Sequence, residues 1–165
     1  MGDSHYDVAQ VCRNGHVANS TTETDPESNQ PFCSICGEET ITSCNNRQAP
    51  IRGTCFYDNG LFGYVRITYQ RPAFCLSCGN PFPWTTRRLA AARELATTFD
   101  ELSEAEQLQL QESVDDLASD TPRTKVAESR FKRLLKKAGT QAGESMRGIM
   151  VEIVSETVKK ALLEP

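Results

Sequence analysis

The sequence predicts an α+β protein: a small β-rich domain over residues 1–83, followed by an α-helical bundle of three to four helices over residues 84–165. Three observations predict it. All seven cysteines and both histidines lie before Trp84. Among them, the unit Cys-x2-Cys-Gly occurs twice, at 33–37 and 75–79. After "NPFPWTTRR" no cysteine appears, and Ala, Leu, Glu, Lys and Arg dominate. A hydrophobic fraction of 38% is low for one well-packed globule of 165 residues, so part of the stability has to come from something other than apolar burial.

In the first part the expected strands are short. "YDVAQVC" leads into the first candidate ligand and "ETITSC" leads away from the first Cys-x2-Cys. "LFGYVRITY" has the clearest strand character, with Phe62, Tyr64, Arg66 and Thr68 on one face and Val65, Ile67 and Tyr69 on the other. Residues 18–31, "ANSTTETDPESNQP", form a polar loop without periodicity and are expected to be mobile.

In the second part the signals are helical. Thr85 or Thr86 caps a helix with Leu89, Ala92, Ala96 and Phe99 along one face, and Ser103 with Glu106 forms a capping box ahead of Leu110, Val114 and Leu117. Thr121-Pro122 opens a third helix that Gly139 closes. A last helix over 141–163 carries Met146, Ile149, Met150, Ile153, Val154 and Val158, an apolar face wide enough to need covering by the bundle or by another subunit.

The candidate ligands carry the functional signal. Zinc takes four soft or borderline donors in a tetrahedron, and a Cys-x2-Cys followed by Gly aims two thiolates at one point while backbone amides donate to sulfur. Cys33 with Cys36 and Cys75 with Cys78 are two such units, and "CRNGH" adds Cys12 and His16 four positions apart. Chain order pairs Cys12 and His16 with the first unit, and Cys44 and Cys55 with the second, which makes eight donors and two zinc ions. Two alternatives stay open. Both units could converge on one ion, leaving Cys12, His16, Cys44 and Cys55 for a second ion or none; and Cys55 reads equally well as a small buried hydrophobe.

The stretches "VCRNGHVAN…FCSICGEETITSC", "PIRG" and "CLSCGNPFPWT" resemble a small bacterial family of uncharacterised zinc-ribbon proteins, and the resemblance continues through "DTPRT…RFKRLLKKAG". It implies a zinc ribbon and no particular activity. It also implies a Cys-x2-Cys directly before Pro-Ile-Arg-Gly, where this chain has Cys44 but Arg47 in place of the second thiolate. The second site is then rebuilt with Cys55 or weakened.

Enzymatic readings have little support. A closed four-donor site has no open position for substrate. Neither Cys-x2-Cys stands at a helix N-terminus in a strand-helix-strand setting, as a redox dithiol requires, and no phosphate loop, His-Glu helix motif or Ser/His/Asp arrangement appears. The expected role is therefore a non-enzymatic binding or adaptor protein that contacts a protein partner, or itself, through the basic third helix and the broad face of the last. The alternative is a nucleic-acid reader using the aromatics and cations of residues 62–93: Tyr64, Arg66, Tyr69, Arg71, Phe74, Trp84, Arg87, Arg88 and Arg93. Against it, residues 1–83 hold five basic and eight acidic side chains, 5 − 8 = −3, and basic "KVAESRFKRLLKK" neighbours acidic "DELSEAEQLQLQESVDDLASD", so the two helices can match each other. No small-molecule substrate is evident. The N-terminus lacks a secretory pattern and the apolar run "GIMVEIVSETVKKALL" is broken by charges, so a cytoplasmic location without membrane contact is expected.

Overall fold

A computed structural model describes residues 4–58, 64–66 and 68–163, the side chains of residues 58 and 64–66 excepted. The chain divides into two compact units, Met1–Thr86 and Arg87–Pro165.

In the first unit the strands are β1 (Ser4–Val8), β2 (Gln10–Cys12), β3 (Val17–Asn19), β4 (Thr40–Ile41), β5 (Arg52–Asp58) and β6 (Tyr64–Arg66). They form two three-stranded antiparallel sheets, ordered β1-β5-β6 and β3-β2-β4. The expected single strand "YDVAQVC" is thus two strands in different sheets. Its pairing with β5 shifts register between Tyr6 and Val8, and at the crossover the Ala9 amide donates to the Ile51 carbonyl at 2.8 Å. The longest described strand of this unit, β5, follows "PI" directly, in a stretch whose only sequence signal was a turn. "LFGYVRITY" contributes β6 alone, since residues 61–63 and 67 lie outside the described residues and Thr68 and Tyr69 are not in a strand.

The polar loop expected to be mobile is pinned. The Asp7 carboxylate accepts from the amides of Glu23 and Thr24 at 3.0 Å, Thr22 bonds back to the Val8 carbonyl, and Asn19 Nδ2 donates to both Asp25 and Asn29 at 2.8 Å. These bonds offset the polarity of the stretch, and Thr21 and Thr22 are buried. The apolar core of this unit is small: Ala9, Val11, Cys44, Ile51, Cys75, Phe82 and Trp84. Trp84, read from sequence as the start of the helical part, is 1% exposed within it, stacks on Phe82 at 4.6 Å, and donates its indole N–H to the Pro72 carbonyl at 2.9 Å.

Five helices follow: α1 (Pro83–Thr97), α2 (Glu104–Ala118), α3 (Thr124–Ala138), α4 (Thr140–Met150) and α5 (Glu156–Leu163). Helix α1 starts on Pro83, whose fixed φ and missing N–H suit a first helical position, so Thr85 is inside the helix and its hydroxyl donates to Ala73 instead of capping. The capping box of α2 forms as the sequence implies, with Ser103 accepting from the Glu106 amide and Glu106 from the Ser103 amide. The expected final helix breaks at residues 151–155. Its β-branched Val151, Ile153 and Val154 are poor helix formers, and Ser155 starts afresh, its Oγ accepting from the Val158 amide. Hence there are five helices, where three or four were expected.

In the second unit Leu110, Val114, Leu117, Phe131, Leu134, Leu135, Met146, Met150 and Leu162 are buried together. The stripe on the last expected helix is part of this core: Met146 and Met150 are fully buried, Ile153 and Val158 nearly so, and Ile149 and Val154 pack against them. Basic α3 and acidic α2 are joined by Arg130–Glu112, Lys137–Glu106 and, from the turn before α3, Arg123–Asp116. Among the described residues, no helix is long and apolar enough to cross a membrane.

Candidate metal centre

Four turns in the first unit present the sulfur and imidazole donors. The first lies between β2 and β3. The Cys12 amide donates to the His16 carbonyl at 2.9 Å and the Gly15 amide to the Cys12 carbonyl at 2.8 Å, which folds His16 back over Cys12. Arg71, far away in sequence, donates a further bond to the Gly15 carbonyl. The second turn holds Cys33 and Cys36. Its Gly37 has φ 72°, a left-handed conformation that costs glycine little, and this lets the Gly37 amide reach the Cys33 carbonyl.

Together these two turns bring Cys12, His16, Cys33 and Cys36 into one group with all donor atoms within 4.8 Å of one another. Cys12 Sγ lies 3.5 Å from His16 Nδ1 and 3.8 Å from Cys36 Sγ, and Cys33 Sγ lies 3.6 Å from the same Nδ1. The sulfur–sulfur separation is far beyond the ~2.05 Å of a disulfide. Amides surround the sulfurs. The His16 amide donates to Cys12 at 3.2 Å, and Asn14 Nδ2 to Cys36 at 3.5 Å. Donation from the Glu38 amide and from Asn14 holds the Cys36 thiol down at about 6, whereas burial pushes Cys12 above its ordinary value. Such a cluster can hold a metal ion, because several thiolates crowded this closely need a cation among them.

The second group contains three donors, Cys44, Cys75 and Cys78, again within 4.8 Å of one another, with Cys44 Sγ 3.7 Å from Cys78 Sγ. The Cys44 thiol is lowered by donation from the amides of Asn46 and Arg47. At Cys78 the Asn80 amide pulls the other way, but burial and the neighbouring Cys75 and Cys44 leave the thiol raised. Cys55, expected as the fourth donor, is not in this group. It sits in β5, its backbone register fixed opposite Tyr6 of β1, and lines a separate cavity of about 280 Å³ with Tyr6, Arg52 and Tyr69. The two Cys-x2-Cys units do not converge on one site; each joins a different partner turn.

Residues considered for nucleic-acid contact are largely engaged internally. Trp84 is buried, Arg71 lies over its ring at 5.7 Å, Arg88 pairs with Glu152, and Arg93 with Asp115. The side chains of Tyr64 and Arg66 lie outside the described ones. Two contributors had no readable sequence signal: Asn14, whose amide reaches Cys36 across the site, and Arg71, which braces the first turn from 56 residues away.

A family model described as an uncharacterized protein conserved in bacteria (DUF2321) matches residues 5–162, which takes in both units. Comparisons with curated proteins and with solved structures gave no match.

Proposed function

The chain belongs to this family of uncharacterized proteins conserved in bacteria, and on that premise we propose that it is a zinc-stabilised, non-enzymatic binding module of the zinc-ribbon type. One observation carries the proposal. A tetrahedral zinc ion with Zn–S of about 2.3 Å and Zn–N of about 2.05 Å sets its donors about 3.8 Å apart for two sulfurs and about 3.6 Å for sulfur and nitrogen. The Cys12, His16, Cys33 and Cys36 donors stand at 3.8, 3.5 and 3.6 Å. His16 binds through Nδ1 in this reading. Four protein donors close the first site, so its zinc stabilises the fold and leaves no position for chemistry. The small apolar core of the first unit needs such support. Reduced, unpaired cysteines suit the cytosol, which is the compartment we infer.

Exposed apolar side chains support a binding role. Phe32, Ile35 and Leu76 project from the cysteine-bearing turns, and Val126 is exposed on α3 beside Lys125, with Arg133 and Lys136 exposed further along. We assign the partner surface of the helical unit to this side of α3 and expect a protein partner.

Metal analysis of the purified full chain tests the reading, with about two zinc ions per chain expected. Cys33→Ser should release zinc and unfold the first unit while most of the helical signal persists. A chain that purifies folded and metal-free would overturn the proposal. Capture of single-stranded nucleic acid at physiological salt, lost in a combined Arg71, Arg87 and Arg88 to Ala variant, would favour the nucleic-acid reading instead.

A further inference from the structure

The second group has a missing corner, and the backbone shows where it is. Three turns of the first unit share one geometry. In the first, the Cys33 amide donates to the Glu38 carbonyl and the Gly37 amide to the Cys33 carbonyl, both at 2.8 Å. In the second, the Cys44 amide donates to the Ala49 carbonyl and the Gln48 amide to the Cys44 carbonyl, both at 2.8 Å. In the third, the Cys75 amide donates to the Asn80 carbonyl and the Gly79 amide to the Cys75 carbonyl, again at 2.8 Å. The fifth residue of each turn has positive φ: 72° at Gly37, 55° at Gln48 and 71° at Gly79. Each turn is closed by an isolated bridge, Phe32 to Glu39, Ser43 to Pro50 and Phe74 to Pro81. The segment Cys44–Gln48 is therefore a metal-binding turn in backbone, kept even though Gln48 is a non-glycine residue in left-handed space, at about 1–2 kcal/mol. Its fourth position, held by Cys36 and Cys78 in the other two turns, is Arg47.

Arginine cannot take the place of the thiolate. Its guanidinium stays protonated and has no lone pair to offer. Among the described residues, Cys44, Cys75 and Cys78 gain no fourth His, Cys, Asp or Glu donor. A divalent ion held by three thiolates carries one net negative charge and one free coordination position. A fourth thiolate from outside would complete the tetrahedron, and the exposed Arg47 stands where its charge can meet a second anionic group on the same molecule, for which a guanidinium is well shaped.

We propose that Cys44, Cys75 and Cys78 form a three-thiolate metal centre whose fourth position, beside Arg47, accepts the thiolate of a small carboxylate-bearing thiol. The proposal rests on the zinc reading above. The step is a ligand exchange without redox change: the metal–sulfur bond forms, the incoming thiol gives its proton to solvent, and a water leaves the metal.

The test uses the full chain loaded with cobalt(II), whose sulfur-to-metal charge-transfer absorption grows with each thiolate ligand. Two cobalt ions per chain are expected. Titration with 3-mercaptopropionate should add charge-transfer intensity at one of the two ions and saturate, with 2-mercaptoethanol binding about tenfold more weakly. Arg47→Ala should remove that tenfold preference. Arg47→Cys should show the added intensity without any thiol and no response to it, and Cys55→Ser should behave as wild type. An unchanged wild-type spectrum at saturating thiol, removal of the second cobalt by the thiol, or loss of the second cobalt in Cys55→Ser would overturn the proposal, as would equal binding of the two thiols. One cobalt per chain, lost on Cys33→Ser, would remove the second centre but keep the zinc reading. A chain that takes up no cobalt would fail both.

Discussion

Trp84→Phe, compared with Trp84→Ala, probes the packing beneath the cysteine turns. The indole is 1% exposed, clustered with Cys44 and Cys75, stacked on Phe82, and bonded to the Pro72 carbonyl. Replacement by Ala removes most of a buried ring and leaves a cavity, at about 3–5 kcal/mol. Replacement by Phe keeps the ring stack but deletes the N–H, leaving the Pro72 carbonyl without its partner at about 1–2 kcal/mol, and removes roughly 40 Å² of apolar contact, worth about 1 kcal/mol. Trp84→Phe should therefore cost about 2–3 kcal/mol. With a urea dependence of about 1 kcal/mol per molar for a unit of this size, that moves the midpoint down by about 2–3 M. The readout is urea-induced zinc release followed with a chromophoric chelator, which reports on the metal-bearing unit alone. In the wild type, fluorescence of the single tryptophan should change over the same urea range. A Trp84→Phe midpoint within 0.5 M of wild type, on the order of an ordinary surface substitution, would refute the claim that this indole supports the turns.

Three further outcomes follow from the same geometry. Gln48→Gly should relieve left-handed strain and raise the zinc-release midpoint by the equivalent of about 1 kcal/mol, whereas Gly79→Ala, at φ 71°, should lower it by a similar amount. Glu106 is held down at about 2 from an ordinary 4.5 by Lys137 and the Ser103 amide. Its contribution is complete above about pH 4.5 and disappears as pH falls toward 2, so the helical unit should lose less stability over that range in Glu106→Gln than in wild type, as read by thermal melts at 222 nm. Met150→Glu places a carboxylate in a fully buried position, and the helical unit should lose cooperative thermal unfolding; a variant that melts like wild type would show that Met150 faces outward.

The sequence by itself determined the division into a cysteine-bearing β-rich part and a helical part, because composition and periodicity are local properties that no packing can reverse. It also determined the first metal group. Cys12 and His16 sit four residues apart and Cys33 and Cys36 three apart, and such short spacings fix turn geometry before any long-range contact forms. The capping box at Ser103 and the charge match of α2 with α3 were legible for the same reason. Tertiary structure decided the rest. Cys44 and Cys78 are 34 residues apart, and only sheet pairing could show that Cys55, nearer in sequence to Cys44, is held in β5 opposite Tyr6 and away from the cluster. Strand β5 went unread because glycine, cysteine and charged residues blur its alternation, and its register comes from the neighbouring strands. The polar loop at 18–31 is ordered by bonds to Asp7 and Val8 from another segment. The wide stripe around Met150 looked like a surface because its length implied one long helix; broken at 151–155, it folds onto α3 and becomes core.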